Sequence, residues 1–477
     1  MIMRNGELMN FNPDMDHIKK IHFVGIGGAG MGGIAEVMIN QGFEVSGSDL
    51  CENSVTKHLG DLGVKIIKGH IKENVQGVDL VVLSSAIPQD NPEVIAAKAE
   101  DIPVIPRAKM LAVLMQTKYG IAISGTHGKT TTTSLVASVL AQADLHPTFV
   151  IGGLLKSVGT NAQLGTGEYF VAEADESDAS FLYLKPKIAV VTNIDEDHLN
   201  TYNGNMDDLC KSFIQFVSEV PAEGLIVLCA DDPLALSLQG SVTAPTVTYG
   251  FNEKADLQIT SFEQRGLQSH FRVRNKLDQT DIDIILNLAG KHNALNAVAA
   301  LAIANKLHVP DEMIKQAFQS FMGIGRRFQM YGECCIPSGK VLLIDDYGHH
   351  PREIAATLDA IRLVWPTRRL VMAYQPHRYT RTQALMQDFA TVLSLSDVLL
   401  LLDVYSAGES PIEGADGPSL CKAISSVGRI TPFFVANIDE LPKAAKDVLQ
   451  DGDILLLQGA GSIGAMAAKM ATMTTLE

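Results

Sequence analysis

The 477-residue sequence predicts an α/β protein built from three domains. Short apolar runs rich in β-branched residues alternate with stretches of helical spacing, which is typical of parallel sheets covered by helices on both faces. Two glycine-rich loops each follow a strand-like run and precede a helix-like one. Because a domain commonly spans about 150 residues, the length allows about three of them.

The first domain is predicted at residues 18–118, after a tail at residues 1–17 that we expect to be mobile. The strand-like run IHFVGIG is followed by helical spacing in MGGIAEVMINQGF. Residues 25–30 between them fit the G-x-G-x-x-G pattern, in which glycines let the backbone approach a diphosphate at a helix N-terminus. Asp49 closes the second strand, where such folds contact a ribose or a base. The pattern leaves NAD, FAD and a UDP-sugar open as ligands.

The second domain is predicted at residues 119–322 and opens with the strand YGIAIS and the loop GTHGKTT at residues 125–131. The loop resembles a P-loop but is shorter, since Ile123 stands where that pattern has its first glycine. We expect its N–H groups to cradle phosphates, Lys129 to neutralise the β and γ oxygens, and Thr130 to offer a hydroxyl to Mg²⁺. A threonine-rich helix cap is the alternative interpretation. Residues 255–288 alternate apolar and polar side chains and predict an antiparallel ribbon, which makes the sheet mixed.

Two acidic segments end buried strands of this domain, EADESD at residues 173–178 and NIDEDHL at residues 193–199. Mg²⁺ prefers few protein oxygens together with phosphate and water. A carboxylate and an imidazole from these segments, joined by Thr130, would fit, whereas a solvated acidic loop is the alternative. Further on, KHNALN at residues 291–296 offers asparagines for an adenine edge, although alone it is an ordinary helix N-cap.

The third domain is predicted at residues 323–477, where strand-then-loop segments recur. Basic residues follow its strands, with Arg326 and Arg327 after Gly325 and the segment QPHRYTRT at residues 375–382. Arginine suits bidentate capture of a carboxylate or a phosphate. Surface arginines at a helix start are the alternative for the second segment.

Composition excludes several classes of protein. A net charge of −16, from 38 Lys+Arg and 54 Asp+Glu, excludes a global basic footprint for nucleic acid. A hydrophobic content of 46% excludes disorder over most of the chain. The N-terminal segment has no apolar core of a signal peptide, no apolar run is long enough for a membrane span, and the six cysteines form no CxxC pair. We therefore expect a cytoplasmic protein that contacts neither nucleic acid nor membrane.

Nine segments in fixed order resemble the Mur ligases of bacterial cell-wall synthesis: HFVGIGGAGM, SGTHGKTTTT, EADESDASF, TNIDEDHL, GKHNALNA, GRRFQ, DDYGHHP, QPHRYTRT and GAGSIG. The resemblance covers nearly the whole chain after about residue 18. It implies a Rossmann-like domain for a UDP-sugar, a P-loop-type ATPase domain with a mixed sheet, and a Rossmann-like domain for an amino acid. It also implies an ATP- and Mg²⁺-dependent ligase that joins L-alanine to the lactyl carboxylate of UDP-N-acetylmuramate, in peptidoglycan synthesis and hence in cell shape and division.

The same resemblance implies a role for each residue at a matching position. The expected ATP contacts are Gly125, Thr126, His127, Gly128, Lys129, Thr130, Thr131, His292, Asn293, Asn296, Arg326, Arg327 and Asp346. The expected UDP-sugar contacts are Gly25, Gly27, Gly28, Ala29, Gly30, Met31, Asp49, His70 and Arg107. The expected amino-acid contacts are Tyr347, His377, Arg378 and Arg381, and the expected Mg²⁺ ligands are Thr130, Glu173 and His198. The expected catalytic residues are Lys129, His198, Arg327, His377, Arg378 and Arg381.

Other interpretations remain at this point. A murein-tripeptide recycling ligase shares the ATP motifs, although GIGGAGM and DDYGHHP favour the alanine reaction. An NAD-dependent dehydrogenase would leave GTHGKTT unexplained, and a non-catalytic nucleotide switch would release no phosphate in response to an acceptor. Several relatives carry a carbamylated lysine at a second metal, but neither EADESD nor DEDHL contains a lysine, so we expect none. We expect a monomer or a weak homodimer.

Overall fold

The computed structural model describes residues 15–474. These divide into two compact units, one with residues up to 262, 270–287 and 293–322, the other with residues 263–269, 288–292 and 323 onward. The predicted mobile tail lies outside the described residues except for Met15–His17, which form a short 3₁₀ helix.

The first sheet, in the first unit, has five parallel strands in the order β3-β2-β1-β4-β5. The strands are β1 Lys20–Val24, β2 Glu44–Asp49, β3 Lys65–Lys68, β4 Leu80–Leu83 and β5 Val104–Pro106. The helices are α1 Ala29–Asn40, α2 Ser54–Asp61, α3 Pro92–Ala99 and α4 Arg107–Gln116. The strand order reverses at β1, so the glycine loop after β1 lies at the switch point where such sheets bind ligands.

The second sheet has ten strands in the order β15-β14-β13-β12-β11-β10-β6-β9-β7-β8, and the loop at residues 125–131 follows its strand β6. The strands are β6 Tyr119–Ser124, β7 Thr148–Leu155, β8 Thr160–Gln163, β9 Tyr169–Glu173, β10 Ile188–Val191, β11 Leu225–Cys229, β12 Thr246–Gly250, β13 Leu257–Arg265, β14 Gln268–Asn275 and β15 Thr280–Leu286. The helices are α5 Lys129–Gln142, α6 Met206–Ser218, α7 Pro233–Ser237, α8 Lys291–Lys306 and α9 Asp311–Gln319.

This second sheet is mixed, as predicted. Its centre is parallel, with β9 and β10 pairing on either side of β6, while β8 runs antiparallel to β7. The short connections between β13, β14 and β15 leave no room for the crossover that parallel pairing needs. Ion pairs Arg272–Asp283 and Arg274–Asp281, each at 2.7 Å, link β14 to β15 in antiparallel register. The predicted ribbon is therefore present.

The third sheet, in the second unit, has six strands in the order β16-β17-β21-β18-β19-β20, and β16 is antiparallel to its neighbour. The strands are β16 Gln329–Ile336, β17 Gly339–Asp346, β18 Leu370–Tyr374, β19 Val398–Leu402, β20 Phe433–Val435 and β21 Ile454–Gln458. The helices are α10 Pro351–Val364, α11 Tyr379–Ala384, α12 Met386–Leu393, α13 Gly417–Val427, α14 Leu441–Val448 and α15 Ile463–Ala471.

The central strands of all three sheets are buried along most of their length, because helices cover both faces. Strand β21, for example, has every residue buried, and so has β4. The predicted α/β class, with two Rossmann-like sheets and a mixed central sheet, is confirmed. Among residues 15–474, no helix has the length and apolar character that a membrane span requires.

Candidate active site

The phosphate loop at residues 125–131 connects β6 to α5 and requires glycine at two positions. Gly125 has a φ of 122° and Gly128 a φ of 85°, values that other residues adopt only with strain. A Cβ on Gly125 would lie 2.2 Å from Thr192 Oγ1, and one on Gly128 would lie 2.6 Å from Asn296 Oδ1. The loop is therefore packed against the end of β10 on one side and against α8 on the other.

The second acidic segment shapes this loop. The N–H of Thr126 donates to the Asn193 carbonyl at 3.0 Å, and the N–H of His127 donates to Asn193 Oδ1 at 2.8 Å. Asp195 donates its N–H to Thr126 Oγ1 at 2.9 Å, and its carboxylate lies 3.2 Å from His127 Nε2. Asn193 and Asp195, which carried no predicted contact, thus hold the loop in position.

Lys129 begins α5, and protein acceptors surround its ammonium group. Its Nζ donates to the Gly125 carbonyl at 2.7 Å, to the Thr126 carbonyl at 3.1 Å and to Glu176 Oε2 at 2.7 Å. Burial opposes the charge, but Glu176, Asp175 and other carboxylates outweigh it and raise the pKa of Lys129. Burial also raises the pKa of Glu176 to about 7, although Lys129 opposes this shift.

The three expected Mg²⁺ ligands follow neighbouring strands. Thr130 is buried in the first turn of α5, and Glu173 ends β9 and accepts the N–H of Gly152 at 2.6 Å. His198 follows β10 with a φ of 58°, and its Nε2 lies 3.4 Å from Asp197. Since β9 and β10 flank β6, all three follow the same edge of the sheet. A hydroxyl and a carboxylate are donors that Mg²⁺ accepts beside phosphate oxygens, so Thr130 and Glu173 fit the ion.

The expected adenine contacts lie at the start of α8. Asn293 and Asn296 are both buried, and the Asn296 amide donates to Asn293 Oδ1 at 3.3 Å. Thr132 Oγ1 donates to Asn296 Oδ1 at 3.2 Å. Asn296 therefore supports the phosphate loop from behind. His292 belongs to the second unit, where burial, and then the charge of Arg327, lowers its pKa to about 4 and keeps the ring neutral.

The glycine loop of the first sheet connects β1 to α1. Gly25 has a φ of 80°, and Gly27 donates its N–H to Asp49 Oδ2 at 2.9 Å. Asn53 Nδ2 donates to the Gly27 carbonyl at 3.0 Å, and Gly28 is the N-cap of α1. The loop thus leads into a helix N-terminus, as anion binding requires.

His70 Nδ1 lies 2.9 Å from Ser48 Oγ, next to Asp49, and Met31 is buried in the first turn of α1. A Cβ on Gly30 would lie 2.8 Å from Arg107 Nη1. Burial would raise the pKa of Asp175, but Lys129 and, more weakly, Arg107 lower it. Arg107, which lies beside Gly30, is therefore close enough to Asp175 to influence the pKa of that carboxyl group.

In the second unit, Arg326 and Asp346 are fixed by internal contacts. Arg326 has a φ of 60°, its Nε lies 3.2 Å from Asp345, and its Nη2 donates to the Gly459 carbonyl at 2.6 Å. Asp346 is buried and accepts two backbone N–H groups and the Gln458 amide. The guanidinium groups of Arg326 and Arg327 each lie over the Tyr347 ring at 5.1 Å, and that of Arg327 also lies 3.7 Å from Glu353.

The expected amino-acid contacts gather around His377. Arg381 is buried, and its Nη1 lies 3.3 Å from His377 Nδ1. The Tyr405 ring stacks on His377 with centroids 5.7 Å apart, and the His349 ring lies 5.6 Å away on an edge contact. Tyr405 and His349 carried no predicted contact, although each lies in a loop that follows a strand, where ligands gather in such sheets.

Tyr347 and Arg378 are the other two expected amino-acid contacts. The Tyr347 ring lies 5.3 Å from the His349 ring, which connects it to His377 through one intervening ring. Arg378 is about half exposed, has a φ of 71°, and lies 3.9 Å from Glu409. Arg378 is therefore at the rim of the cluster and Arg381 is at its base.

Comparisons with known proteins identify relatives over most of the chain. Three family models match in order: "Mur ligase family, catalytic domain" at residues 20–119, "Mur ligase middle domain" at residues 123–304 and "Mur ligase, glutamate ligase domain" at residues 326–461. The solved UDP-N-acetylmuramate-alanine ligase of Thermotoga maritima is 30% identical, with 95% of this chain and 98% of that chain covered and a TM-score of 0.81.

Two further solved structures are similar. A murein peptide ligase of Psychrobacter arcticus is 25% identical with the same coverage of both chains and a TM-score of 0.72. The MurF ligase of Thermotoga maritima, solved in complex with ADP, is 14% identical over 90% of this chain and 94% of that one, with a TM-score of 0.60, and shares the fold. With three consecutive family models and a relative 30% identical over nearly its whole length, the chain belongs to the Mur ligase family, whose members are ATP-dependent amide ligases.

Proposed function

We propose that the chain joins L-alanine to the lactyl carboxylate of UDP-N-acetylmuramate, with ATP as the energy source, in peptidoglycan precursor synthesis. The observation that carries this choice of substrates is the similarity to the Thermotoga maritima alanine ligase, at 30% identity against 25% for the murein peptide ligase. We assign the UDP-sugar to residues 18–118, ATP to residues 119–322 and the amino acid to residues 323–477. We place the reaction in the cytoplasm.

ATP is needed because a free carboxylate is a poor electrophile at neutral pH. The lactyl carboxylate attacks the γ-phosphorus, ADP leaves, and an acyl phosphate forms. Two anions must approach each other in this step, so a preorganised cation lowers the barrier. The raised pKa of Lys129 keeps its ammonium charged in this position. The N–H groups of residues 125–131 bind the phosphates, and His292, Asn293 and Arg327 contact the rest of the nucleotide.

Mg²⁺ would be held by Thr130, Glu173 and His198, which follow three adjacent strands of the central sheet. When bound, the ion neutralises part of the phosphate charge and orients the phosphate oxygens. The protein side chains fix where that charge lies relative to Lys129.

In the second step the deprotonated amine of alanine attacks the acyl carbon, the amide bond forms, and inorganic phosphate leaves. Arg381, buried beside His377, is positioned to bind the alanine carboxylate, with Arg378 at the rim and Tyr347 nearby. A fixed guanidinium binds a carboxylate through two parallel hydrogen bonds. On the donor side, Asp49 and Arg107 flank the glycine loop that binds the diphosphate of the UDP-sugar.

Phosphate release from ATP and UDP-N-acetylmuramate tests this assignment when L-alanine, L-serine, glycine and the tripeptide L-alanyl-γ-D-glutamyl-meso-diaminopimelate are compared as acceptors. We expect the highest kcat/KM with L-alanine, and weaker turnover with serine and glycine because one small group changes binding only modestly. Preference for the tripeptide would instead identify a murein peptide ligase. Phosphate release that no acceptor accelerates would contradict both.

A further inference from the structure

A carboxylate is buried next to the glycine loop of the first sheet. Glu93, in the first turn of α3, is fully buried. Ser48 Oγ donates to its Oε2 at 2.6 Å, His70 Nδ1 lies 3.0 Å from the same oxygen, and Asn74 donates to Oε1. His22 Nε2 lies 3.6 Å from Oε1. Burial of a carboxylate is costly unless hydrogen bonds and charge compensate it, so this network has to be nearly complete.

The contacts keep Glu93 ionised. Burial acts to raise the pKa of Glu93, but His22 and the hydrogen bonds from Ser48 and Asn74 outweigh it and lower the pKa to about 2. An ionised carboxylate only accepts hydrogen bonds. Every group around Glu93 must therefore present a proton to it at neutral pH.

Ser48 connects this carboxylate to the glycine loop. Its side chain donates to Glu93, while its main-chain carbonyl accepts the N–H of Gly25 at 2.9 Å and of Ile26 at 3.0 Å. The next residue, Asp49, accepts the N–H of Gly27. Residues 25–27 of the loop are thus hydrogen-bonded to Ser48 and Asp49 at the end of β2. Glu93 in turn holds the side chain of Ser48.

Glu93 also sets the tautomer of His70. Because the carboxylate can only accept, and Ser48 already donates to it, the proton of His70 lies on Nδ1. Nε2 is then the ring nitrogen of His70 that remains for a ligand. His70 follows β3 at the carboxyl edge of the sheet, beside Ser48, and its side chain is only 9% exposed, so the ring has little freedom to rotate.

We propose that Glu93 is a positioning residue of the UDP-sugar site, which anchors the glycine loop through Ser48 and presents His70 Nε2 to a polar group of the ligand. This inference rests on the proposed function, since it takes the first sheet to bind a UDP-sugar. Glu93 itself contacts no substrate and acts through Ser48 and His70.

The variant Glu93→Gln tests the proposal, because a carboxamide has nearly the same shape, but its NH₂ group has two N–H donors and cannot accept hydrogen bonds from the neighbours of that atom. We expect the Kd for UDP, measured by calorimetry without ATP or alanine, and the KM for UDP-N-acetylmuramate to rise at least about tenfold. The KM values for ATP and L-alanine should change less than twofold. Glu73→Gln is the matched control, since Glu73 is on the 3₁₀ helix Lys72–Val75 beside Asn74, and its half-exposed side chain lies 3.9 Å from that of Lys72.

A double variant separates positioning from general destabilisation. If Glu93 acts through His70, His70→Gln should weaken UDP binding by a similar factor, and the pair should lose little more than either change alone. Ser48→Ala, which keeps the main-chain carbonyl, should give a smaller loss and serves if Glu93→Gln does not fold. The proposal is overturned if the two losses multiply, or if the KM for ATP rises as much as that for the UDP-sugar. A wild-type chain that binds no UDP would instead refute the proposed function.

Discussion

The ammonium of Lys129 lies 2.7 Å from Glu176 Oε2, and both side chains are largely buried. The ammonium has three protons, and the carbonyls of Gly125 and Thr126 accept from it as well. A phosphate that binds Lys129 must therefore replace at least one of these protein acceptors. Of these three acceptors, Glu176 is the one with a carboxylate. Its carboxylate lies where the phosphate of a bound nucleotide would contact Lys129.

Replacement of Lys129 by alanine is expected to lower kcat for alanine-dependent phosphate release at least about a hundredfold, since one preorganised group on a developing charge contributes that much. The same change leaves Glu176 buried without its partner. The double variant Lys129→Ala/Glu176→Gln removes this penalty and is the control for folding. Thermal unfolding near the wild-type Tm, together with normal turnover in the double variant, would refute the role of Lys129 in phosphate transfer.

Removal of the Glu176 charge by Glu176→Gln is expected to strengthen ATP binding above neutral pH. The pKa of Glu176 is raised to about 7 by burial, so the carboxylate ionises as the pH passes through that value and then competes with phosphate for Lys129. The Kd of wild-type protein for ATP should therefore rise between pH 6 and pH 8 relative to that of the variant. Calorimetric titrations at both pH values measure the difference. A variant that binds ATP more weakly than wild type at pH 8 would show that Glu176 assists the nucleotide.

The chemistry-bearing loops could be predicted from sequence because their signals are local. A strand, a glycine turn and a helix lie within about twenty consecutive residues, so the roles expected for Lys129 and Gly128 needed no knowledge of the whole fold. The residues that contact Lys129 and His377 could not be predicted in this way. Glu176 is 47 positions away from Lys129 and reaches it only because β9 pairs with β6. Tyr405 stacks on His377 for the same kind of reason, since β18 and β19 are neighbours.

Buried polar networks were still harder to foresee. The partners of Glu93 come from β1, β2, the loop after β3 and the 3₁₀ helix Lys72–Val75, and no spacing rule connects them. In the sequence Glu93 is simply an acidic residue in the first turn of a helix, where it would ordinarily be exposed. Arg326 is similar, because only the packing of β17 and β21 shows that its guanidinium is bound to Asp345 and the Gly459 carbonyl.

Substitution of Gly128 by alanine is expected to reduce ATP binding more than the backbone strain alone would predict. A φ of 85° costs an ordinary residue about 1–2 kcal/mol, and the new Cβ would also lie 2.6 Å from Asn296 Oδ1. Gly42→Ala is the matched control, since Gly42 has a φ of 93° and nothing within 4 Å of its Cβ position. Both variants should lose stability in urea, but only Gly128→Ala should raise the KM for ATP. Equal KM values in the two variants would contradict the contact with Asn296.

A second substitution, Asn296→Ala, removes the side-chain atom that the new Cβ at position 128 would contact. In Gly128→Ala/Asn296→Ala the contact at Asn296 Oδ1 is absent, so part of the lost ATP affinity should return. The cost of removing the hydrogen bonds that Asn296 makes with Thr132 and Asn293 is measured in the single variant Asn296→Ala. About 1–3 kcal/mol of stability is expected to be lost there, since a buried partner is left unsatisfied. A double variant that binds ATP no better than Gly128→Ala would mean that strain alone disturbs the loop.

Arg381→Lys is expected to raise the KM for L-alanine at least about tenfold while the KM values for ATP and UDP-N-acetylmuramate stay within twofold. Lysine keeps the charge but loses the planar fork that binds a carboxylate through two hydrogen bonds, so the two residues are not equivalent at such a site. The guanidinium of Arg381 is buried and lies against His377, whereas that of Arg378 is half exposed beside Glu409. Arg378→Lys should therefore have the smaller effect, because water around the half-exposed Arg378 already screens the attraction between its charge and a carboxylate. Initial rates with each substrate varied in turn give the three KM values. If Arg378→Lys proved the more damaging change, the alanine carboxylate would bind at the rim of the cluster, and Arg381 would serve to hold His377 in place.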